Sequence, residues 1–196
     1  MSKDSISPKK QKILEAAARL FRDKGYSATS MRDLASEVDL KASSLYNHIA
    51  SKEELLQEIC FSTAHKFVDA ITEIEAREIP ALDKIKALIY LHTTVAATDL
   101  TSITSFNDEW RHLREPHLSE FLSLRRHYES HFLKILADGM EAGSIKQMEP
   151  QLVFYTMLSS IRWLYDWRLR KQASISSLHS EQISTILLSG LLVAEK

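Results

Sequence analysis

Apolar residues recur along most of this chain at the spacing of an amphipathic α-helix. In the first such segment Ile13, Leu14, Ala17, Leu20 and Phe21 fall on one helical face. No segment shows the strict alternation of apolar and polar residues that is typical of a half-buried strand. The pattern therefore predicts an all-α protein.

Capping residues divide the chain into about nine helices. Ser7-Pro8 fits an N-cap followed by the first helical residue, and Gly25 is a natural stop. Thr29 is placed to cap the second helix, and Ser51 with Glu54 forms a capping box. We also expect a break within 98–105 and a loop over 174–180. The predicted helices span about 8–24, 30–36, 41–49, 51–78, 81–97, 103–113, 116 to 139 or 143, 150–171 and 179–193.

Composition supports a few long helices. The 196 residues, 44% hydrophobic and 26% charged, make one or two domains and exclude a disordered or collagen-like chain. Only four Gly and four Pro occur, whereas a sheet protein needs many turns. A single cysteine, Cys60, excludes an internal disulfide. The first residues lack an apolar leader and no stretch reaches the roughly 18 apolar residues of a membrane span, so we expect a cytoplasmic protein without membrane contact.

Charge is distributed unevenly although the formal net charge is −1. Residues 1–52 contain ten Lys or Arg against six Asp or Glu, a net charge of +4, which leaves −5 for the remainder. A basic N-terminal part indicates contact with a polyanion, and random scatter of surface charge is the alternative.

The N-terminal part has the organisation of a helix-turn-helix. Two short predicted helices, separated by about four residues, follow a longer amphipathic one. Ala35 allows a close helix crossing, and Asp39 occupies the turn, where a residue tolerant of positive φ is needed. The apolar contacts that fix the crossing are expected from Leu34, Val38, Leu40 and Leu45. Other helical hairpins share such packing, so this pattern alone leaves the function open.

Residues 13–56 resemble the DNA-binding domain of the tetracycline repressor (TetR) family. The chain departs from the family pattern at Asp39, which replaces the turn glycine, and at Ile49, which replaces an aromatic residue. Asp tolerates the turn and Ile still packs, so the resemblance holds. The matching residues are Ile13, Leu14, Ala17, Leu20, Phe21, Gly25, Tyr26, Thr29, Leu34, Ala35, Leu45, Tyr46, His48 and Ser51 to Leu55.

The resemblance implies a homodimer that places its third helices in successive major grooves of a palindromic operator on double-stranded DNA. Leu45 and Ile49 are then expected to face inward. Asn47 is suited to adenine edges and Ser43 or Ser44 to either base type. Thr29, Ser30, Tyr46 and Lys52 are expected to hold phosphates, although Thr29 also suits a cap and Tyr46 suits the core. The whole predicted DNA-binding set is Thr29, Ser30, Lys41, Ser43, Ser44, Tyr46, Asn47, His48 and Lys52.

The resemblance also divides the functions along the chain. It implies a DNA-binding domain over 1–52 and an effector-binding and dimerisation domain over 53–196. Helices 150–171 and 179–193 are too apolar all round for one exposed face, which favours a homodimer through these last two helices over a plain buried core helix.

The segment from Glu109 to Ile145, with the Trp-rich helix after it, is similar to TetR regulators that sense acyl-CoA thioesters. Arginines beside an apolar cavity suit such a ligand, because Arg grips phosphate through paired hydrogen bonds. The alternatives are an Arg162–Asp166 pair and a solvated Arg125-Arg126 face. The predicted effector-binding residues are Trp110, Arg114, Arg125, Tyr128, Arg162 and Trp163.

Other kinds of site find less support. His127 and His131 lie four residues apart, but two histidines are fewer than a metal site needs, so we expect no metal and no cofactor. Nucleophile-elbow, phosphate-loop, dinucleotide-binding and zinc-protease motifs are missing, so we expect no enzyme. A DNA-binding regulator controlled by a partner protein, with no small-molecule effector, is the alternative function.

Overall fold

The computed structural model describes residues 7–171 and 176–192, with the backbone alone for residues 100, 165–171 and 177. Within these ranges the chain forms nine α-helices, one 3-10 helix and a single isolated β-bridge, which confirms the all-α prediction. The helices are α1 (Pro8–Lys24), α2 (Met31–Glu37), α3 (Ala42–Leu45), α4 (Lys52–Ala76), α5 (Ala81–Thr98), α6 (Leu100–Asp108), α7 (His117–Glu141), α8 (Pro150–Lys171) and α9 (Ser177–Ser189), with the 3-10 helix at Trp110–His112.

Two predicted helix starts form as expected. The Ser7 hydroxyl accepts the Lys10 N–H at 3.2 Å and caps α1. The Ser51 hydroxyl accepts the Glu54 N–H at 3.1 Å, while the Glu54 carboxylate accepts the Ala50 N–H at 2.7 Å. These contacts satisfy backbone donors that the first helical turn leaves open.

Several predicted boundaries are wrong. Ser30, and not Thr29, caps α2, because the Thr29 hydroxyl turns into the interior. The third helix ends at Leu45 instead of residue 49, and the expected break over 98–105 shrinks to Asp99. Part of the predicted loop 174–180 belongs to α9, which starts at Ser177; residues 172–175 lie outside the described ranges, as does the predicted last residue of this helix, 193.

The first compact unit contains the chain up to His65 together with Thr101–Leu122. In it α1 packs on α2 and α2 packs on α3. Its fully buried side chains include residues that the sequence analysis expects to face inward, namely Ile13, Phe21, Leu34, Leu45 and Ile49, and further ones at Leu55, Leu56 and Phe121.

The second compact unit contains Lys66–Leu100 and the chain from Ser123 onward. Here α5 packs against α8 and α9 around a core that includes Leu88, Phe132 and Leu164. Gly139 allows a close approach within this unit, since a Cβ there would lie 2.5 Å from Ile145 Cδ1 and 2.8 Å from Ala81 Cβ. Helices α4 and α7 contribute residues to both units, and the predicted functional boundary after residue 52 stays a prediction.

None of the helices in the described part of the chain combines the length and apolar character needed to cross a membrane.

Candidate nucleic-acid interface

The loop between α1 and α2 is fixed by backbone and hydroxyl hydrogen bonds. Gly25 has φ 85°, a conformation that favours glycine, and its N–H donates to Phe21 O at 2.9 Å. The Thr29 hydroxyl, buried with its side chain, donates to Gly25 O at 2.9 Å. Thr29 therefore holds the loop, and its contact with DNA stays a prediction.

The start of α2 carries a reciprocal cap. The Ser30 hydroxyl accepts the Asp33 N–H at 3.1 Å, and the Asp33 carboxylate accepts the Ser30 N–H at 2.8 Å. The hydrogen bond from the Ser30 hydroxyl, followed by that from the Ser30 N–H and the contact with Lys24, lowers the pKa of Asp33 to about 2. The carboxylate is thus charged at neutral pH beside the positive end of the α2 dipole.

The turn between α2 and α3 has the conformation that the sequence predicts. Asp39 adopts φ 54°, and the N–H of Leu40 donates to Ala35 O at 2.8 Å. Leu45 and Ile49 are buried, as expected. This frame turns the remaining side chains of the segment 41–48 outward.

The reading segment itself is only partly α-helical. After α3 ends, the His48 N–H donates to Leu45 O at 2.9 Å, a tighter turn than that of an α-helix. Tyr46 is 53% exposed, so it is not a core residue, which the sequence analysis had left as an alternative. Lys41, Ser43, Tyr46 and Asn47 are exposed and Ser44 and His48 are half-buried, so the segment presents six polar side chains.

Lys52 has a structural role that the sequence analysis missed. Its ammonium group donates to Tyr26 O at 2.7 Å and to Thr29 O at 2.8 Å, and lies 4.2 Å from the centre of the Tyr26 ring. The predicted phosphate contact would use the one remaining donor of the ammonium group. Only the loop geometry exposes this role, since the partners lie 23 and 26 residues earlier in the chain.

A groove of about 660 Å³ lies between α1 and the α2–α3 turn. Its rim carries both signs of charge, with Lys9, Lys12 and Arg19 against Glu15, Glu37 and Asp39. One of these pairs, Arg19 with Glu37, is already joined at 3.3 Å. A polyanion would therefore meet repulsion as well as attraction here, which leaves the segment 41–48 as the better surface for DNA.

Two predicted effector residues lie in the first unit. Trp110 is half-buried and stacks on Phe121, with ring centres 6.0 Å apart. Arg114 is exposed and its guanidinium lies 3.5 Å from the Glu53 carboxylate. Trp110 joins an aromatic cluster, whereas Arg114 sits at the surface.

The other four predicted effector residues lie in the second unit, and Tyr128 alone among them is buried. Its hydroxyl lies 2.7 Å from His92 Nε2, and the two rings meet edge to face beside Phe67. Arg125, Arg162 and Trp163 lie on the unit's surface. The alternative pairing of Arg162 with Asp166 lies outside the described side chains.

His92 is a buried polar residue that sequence reasoning overlooked. Burial lowers its pKa to about 4, so the imidazole is neutral at physiological pH. The sequence could have indicated this burial, because His92 lies in the apolar spacing of α5, four residues before Ala96 and four after Leu88. Neutral His92 and Tyr128 form one buried polar pair in this core, and the Ser180 hydroxyl, which donates to the Thr93 hydroxyl at 2.8 Å, forms another.

The two histidines considered as metal ligands have another arrangement. The rings of His127 and His131 lie 4.3 Å apart, and His131 Nδ1 contacts the Glu75 carboxylate. The other oxygen of Glu75 binds the Lys134 ammonium group at 2.8 Å. His131 therefore lies against the Glu75–Lys134 ion pair, and this polar cluster joins α4 to α7.

The last two helices expose apolar side chains as well as burying them. On α8, Phe154, Ile161 and Leu164 are buried. A second, exposed apolar set follows on α8 and α9 and at the end of the described chain; it comprises Leu152, Tyr155, Trp163, Leu178, Ile186 and Leu192.

Two family models match the chain and together cover more than half of it. Residues 13–59 match the model described as bacterial regulatory proteins, tetR family. Residues 78–169 match the model described as tetracyclin repressor-like, C-terminal domain.

Three similar proteins match this chain over most of its length and of their own. The transcriptional repressor KstR2 of Rhodococcus jostii is 25% identical over 191 residues, which cover 94% of this chain and 92% of KstR2. The TetR-family regulator PfmR of Thermus thermophilus superposes with a TM-score of 0.77 at 27% identity, covering 89% of this chain and 96% of PfmR. AibR in complex with isovaleryl coenzyme A and operator DNA shares the fold, with a TM-score of 0.78 at 21% identity over 92% of this chain and 97% of AibR.

Proposed function

The chain belongs to the TetR family of bacterial transcriptional regulators, and on this premise we propose that it is a repressor that binds a palindromic operator as a homodimer. A small hydrophobic or acyl-CoA-like effector releases it from DNA. The family consists of regulators and not of enzymes, and its members act on DNA operators as dimers.

The segment 41–48 is the observation that carries this proposal. Buried Leu45 and Ile49 anchor it, and the fixed turn at Asp39 sets its direction. Its outward amide, hydroxyl and ammonium groups are the donors and acceptors that read base edges and phosphates in a major groove. The net charge of +4 over residues 1–52 favours approach to the polyanion.

The exposed apolar set on α8 and α9 supports the homodimer. Trp163 is 49% exposed and Ile186 is 71% exposed, although both are strongly apolar. Large apolar side chains exposed together on two neighbouring elements of the sequence are typical of an interaction surface. A twofold dimer through the last two helices covers the same face on both chains and presents two reading segments to two half-sites.

Effector release requires that the ligand bind better to the arrangement that does not fit DNA. The fold accommodates isovaleryl coenzyme A together with operator DNA in AibR. Arg114, Arg125 and Arg162 are exposed, and a guanidinium group suits the phosphates of such a thioester.

Operator binding is tested with duplexes drawn from around the protein's own promoter. Fluorescence anisotropy should give a dissociation constant whose log–log salt slope is about −5, if a dimer neutralises about six phosphates at ~0.9 each. Asn47→Ala should relax the preference at one base pair at a cost of about 1–3 kcal/mol, with Ser123→Ala, at an exposed position of α7, as the control. Absence of binding to any promoter duplex, or binding that ignores salt, would contradict the proposal.

The effector class is tested separately. A thermal-shift panel of acyl-CoAs of increasing chain length, with free coenzyme A and free fatty acids as controls, should stabilise the protein and release it from the duplex. If the protein binds DNA normally but no acyl-CoA in the panel shifts its melting temperature or releases it from the duplex, the acyl-CoA assignment fails. Control by a partner protein then becomes the better explanation.

A further inference from the structure

Residues 101–122 fold into the same compact unit as the reading segment, although the sequence places them well inside the effector-binding part. Arg22 of α1 donates to the Thr101 hydroxyl at 3.2 Å. Arg114 lies 3.5 Å from Glu53 in the first turn of α4. The segment 101–114 therefore touches the DNA-binding part at both of its ends.

His112 makes the central contact of this segment. Its imidazole stacks on the Tyr26 ring, with centres 5.0 Å apart and planes inclined by 24°. Tyr26 also packs edge to face against Phe21 at 5.1 Å. Tyr26 lies in the loop between α1 and α2, which also carries Thr29 and leads to the cap of α2, so a ring from the segment 101–114 rests directly on that loop.

Lys52 relays this contact to the helix-turn-helix. Its ammonium group binds the carbonyl oxygens of Tyr26 and Thr29, the two ends of the loop. Thr29 is followed by Ser30, whose cap with Asp33 fixes the start of α2. A displacement of the Tyr26 ring would thus shift the carbonyls that Lys52 holds and, with them, the entry into α2.

We propose that His112 is a positioning residue that couples the segment 101–114 to the DNA-reading surface through Tyr26 and Lys52. This inference rests on the proposed function and names the contacts through which the segment 101–114 acts on the DNA-reading surface. Trp110 and Arg114, two predicted effector residues, flank His112 in the chain, so a ligand that engages them acts on the reading surface through one ring contact.

The surroundings of His112 distinguish coupling from core packing. The side chain is 43% exposed, and Glu109 lies 3.4 Å from its Nε2. Removing a half-exposed ring leaves no sealed cavity, so the unit should stay folded. Loss of the stacking contact should then appear in DNA affinity and less in stability.

Three variants test the coupling in the full-length protein with a promoter duplex. His112→Gln removes the aromatic ring, and His112→Phe keeps it. Arg111→Ala is the control, because Arg111 neighbours His112 in the chain but its guanidinium lies over the Trp110 ring, a different partner from Tyr26. We expect His112→Gln to weaken operator binding by between about twofold and tenfold, the range of one aromatic pair, with His112→Phe and Arg111→Ala near the wild type.

Hydrogen exchange gives a readout that loss of packing alone would not change. Because coupling between two sites is reciprocal, operator binding should slow amide exchange in residues 101–114 of the wild type and of His112→Phe, but not of His112→Gln. Equal affinity and equal protection in the wild type and in both His112 variants would overturn the inference while the proposed function stands. Failure of the wild type to bind the duplex would overturn both.

Discussion

At Lys52 one ammonium group satisfies two carbonyl oxygens from a loop that lies more than twenty residues earlier in the chain. Lys52→Met keeps the length of the side chain and removes the donors. Because both carbonyls then lose a charged partner, we expect the free energy of unfolding to fall by about 1–3 kcal/mol in urea denaturation. Lys9→Met, at an exposed lysine of α1, should change it little.

The same variant also tests whether Lys52 contacts a phosphate. Loss of one phosphate contact per subunit should make the log–log salt slope of operator binding shallower by about 0.9 per subunit. An unchanged slope with reduced stability would mean that Lys52 stabilises the loop and makes no contact with a phosphate.

His92 makes the stability of the second unit depend on pH. Its folded pKa of about 4 lies below the ordinary value of 6.5, so the unfolded chain binds the proton more readily between these values. Stability is therefore fully present above about pH 6.5 and declines as the pH falls toward 4, by up to about 1.4 kcal/mol per pH unit.

Two variants isolate this contribution. His92→Phe should flatten the slope in urea denaturation between pH 7 and pH 4.5. Tyr128→Phe removes the hydrogen bond but leaves the imidazole buried, so it should retain the slope. A wild-type slope in His92→Phe would assign the pH dependence to another group.

Residue roles that depend on neighbours in the chain were predictable. The positive φ of Asp39 follows from its place in a tight turn, and the burial of Ile49 follows from its spacing after Leu45. Lys52 and His92 were missed because their partners come from other elements. A charged or polar side chain gives no indication, in sequence alone, of whether it faces DNA, solvent or a buried carbonyl.

Among the elements, α2 depends on its cap, since it has only seven residues. Ser30→Ala removes the hydroxyl that accepts the Asp33 N–H, and we expect a loss of about 1 kcal/mol in stability. Ser36→Ala, at an exposed position of the same helix, is the matched control and should be neutral or stabilising.

The pKa of Asp33 gives a second measure of the same cap. The Ser30 hydroxyl is the leading cause of its low pKa, so Ser30→Ala should raise the pKa of Asp33 from about 2 toward the ordinary value of 3.8. The carboxylate's contribution is present above that ordinary value and is lost as the pH falls through the folded pKa. Carboxyl chemical shifts measured by NMR give both midpoints, and identical midpoints would contradict the assignment.

Most helix ends were predicted correctly to within two or three residues because Ser, Pro and Gly mark them locally. The ends of α6 and α9 lie at Asp108 and Ser189 instead of 113 and 193, and helix α3 is the third exception. Its N-cap, Lys41, makes no side-chain cap, and its apolar spacing continues to Ile49, which a tighter turn buries just as well. Periodicity predicts which face is buried, and it does not distinguish an α-helix from successive turns with the same face.

For the whole molecule, assembly should depend on the exposed face of α8 and α9. Ile186→Glu places a charge on this face, so we expect sedimentation to change from dimer to monomer and operator affinity to fall with it. Because Ile186 is 71% exposed in the single chain, the fold of the monomer should persist. Ile79→Glu, at another exposed isoleucine, is the control; a dimeric Ile186→Glu would contradict the proposed interface.

Gly139 links the evolution of three separate stretches of sequence. Alanine there would overlap Ile145 and Ala81, at a cost of about 1–3 kcal/mol, because Ala81 Cβ is fixed to its backbone and the Ile145 side chain is buried. Ala81→Gly together with Ile145→Val removes the two overlapping atoms, Ala81 Cβ and Ile145 Cδ1, and should restore part of the loss in a chain that carries Gly139→Ala. Natural variation at these positions is therefore expected to be concerted, with a larger residue at one tolerated only where the others have become smaller.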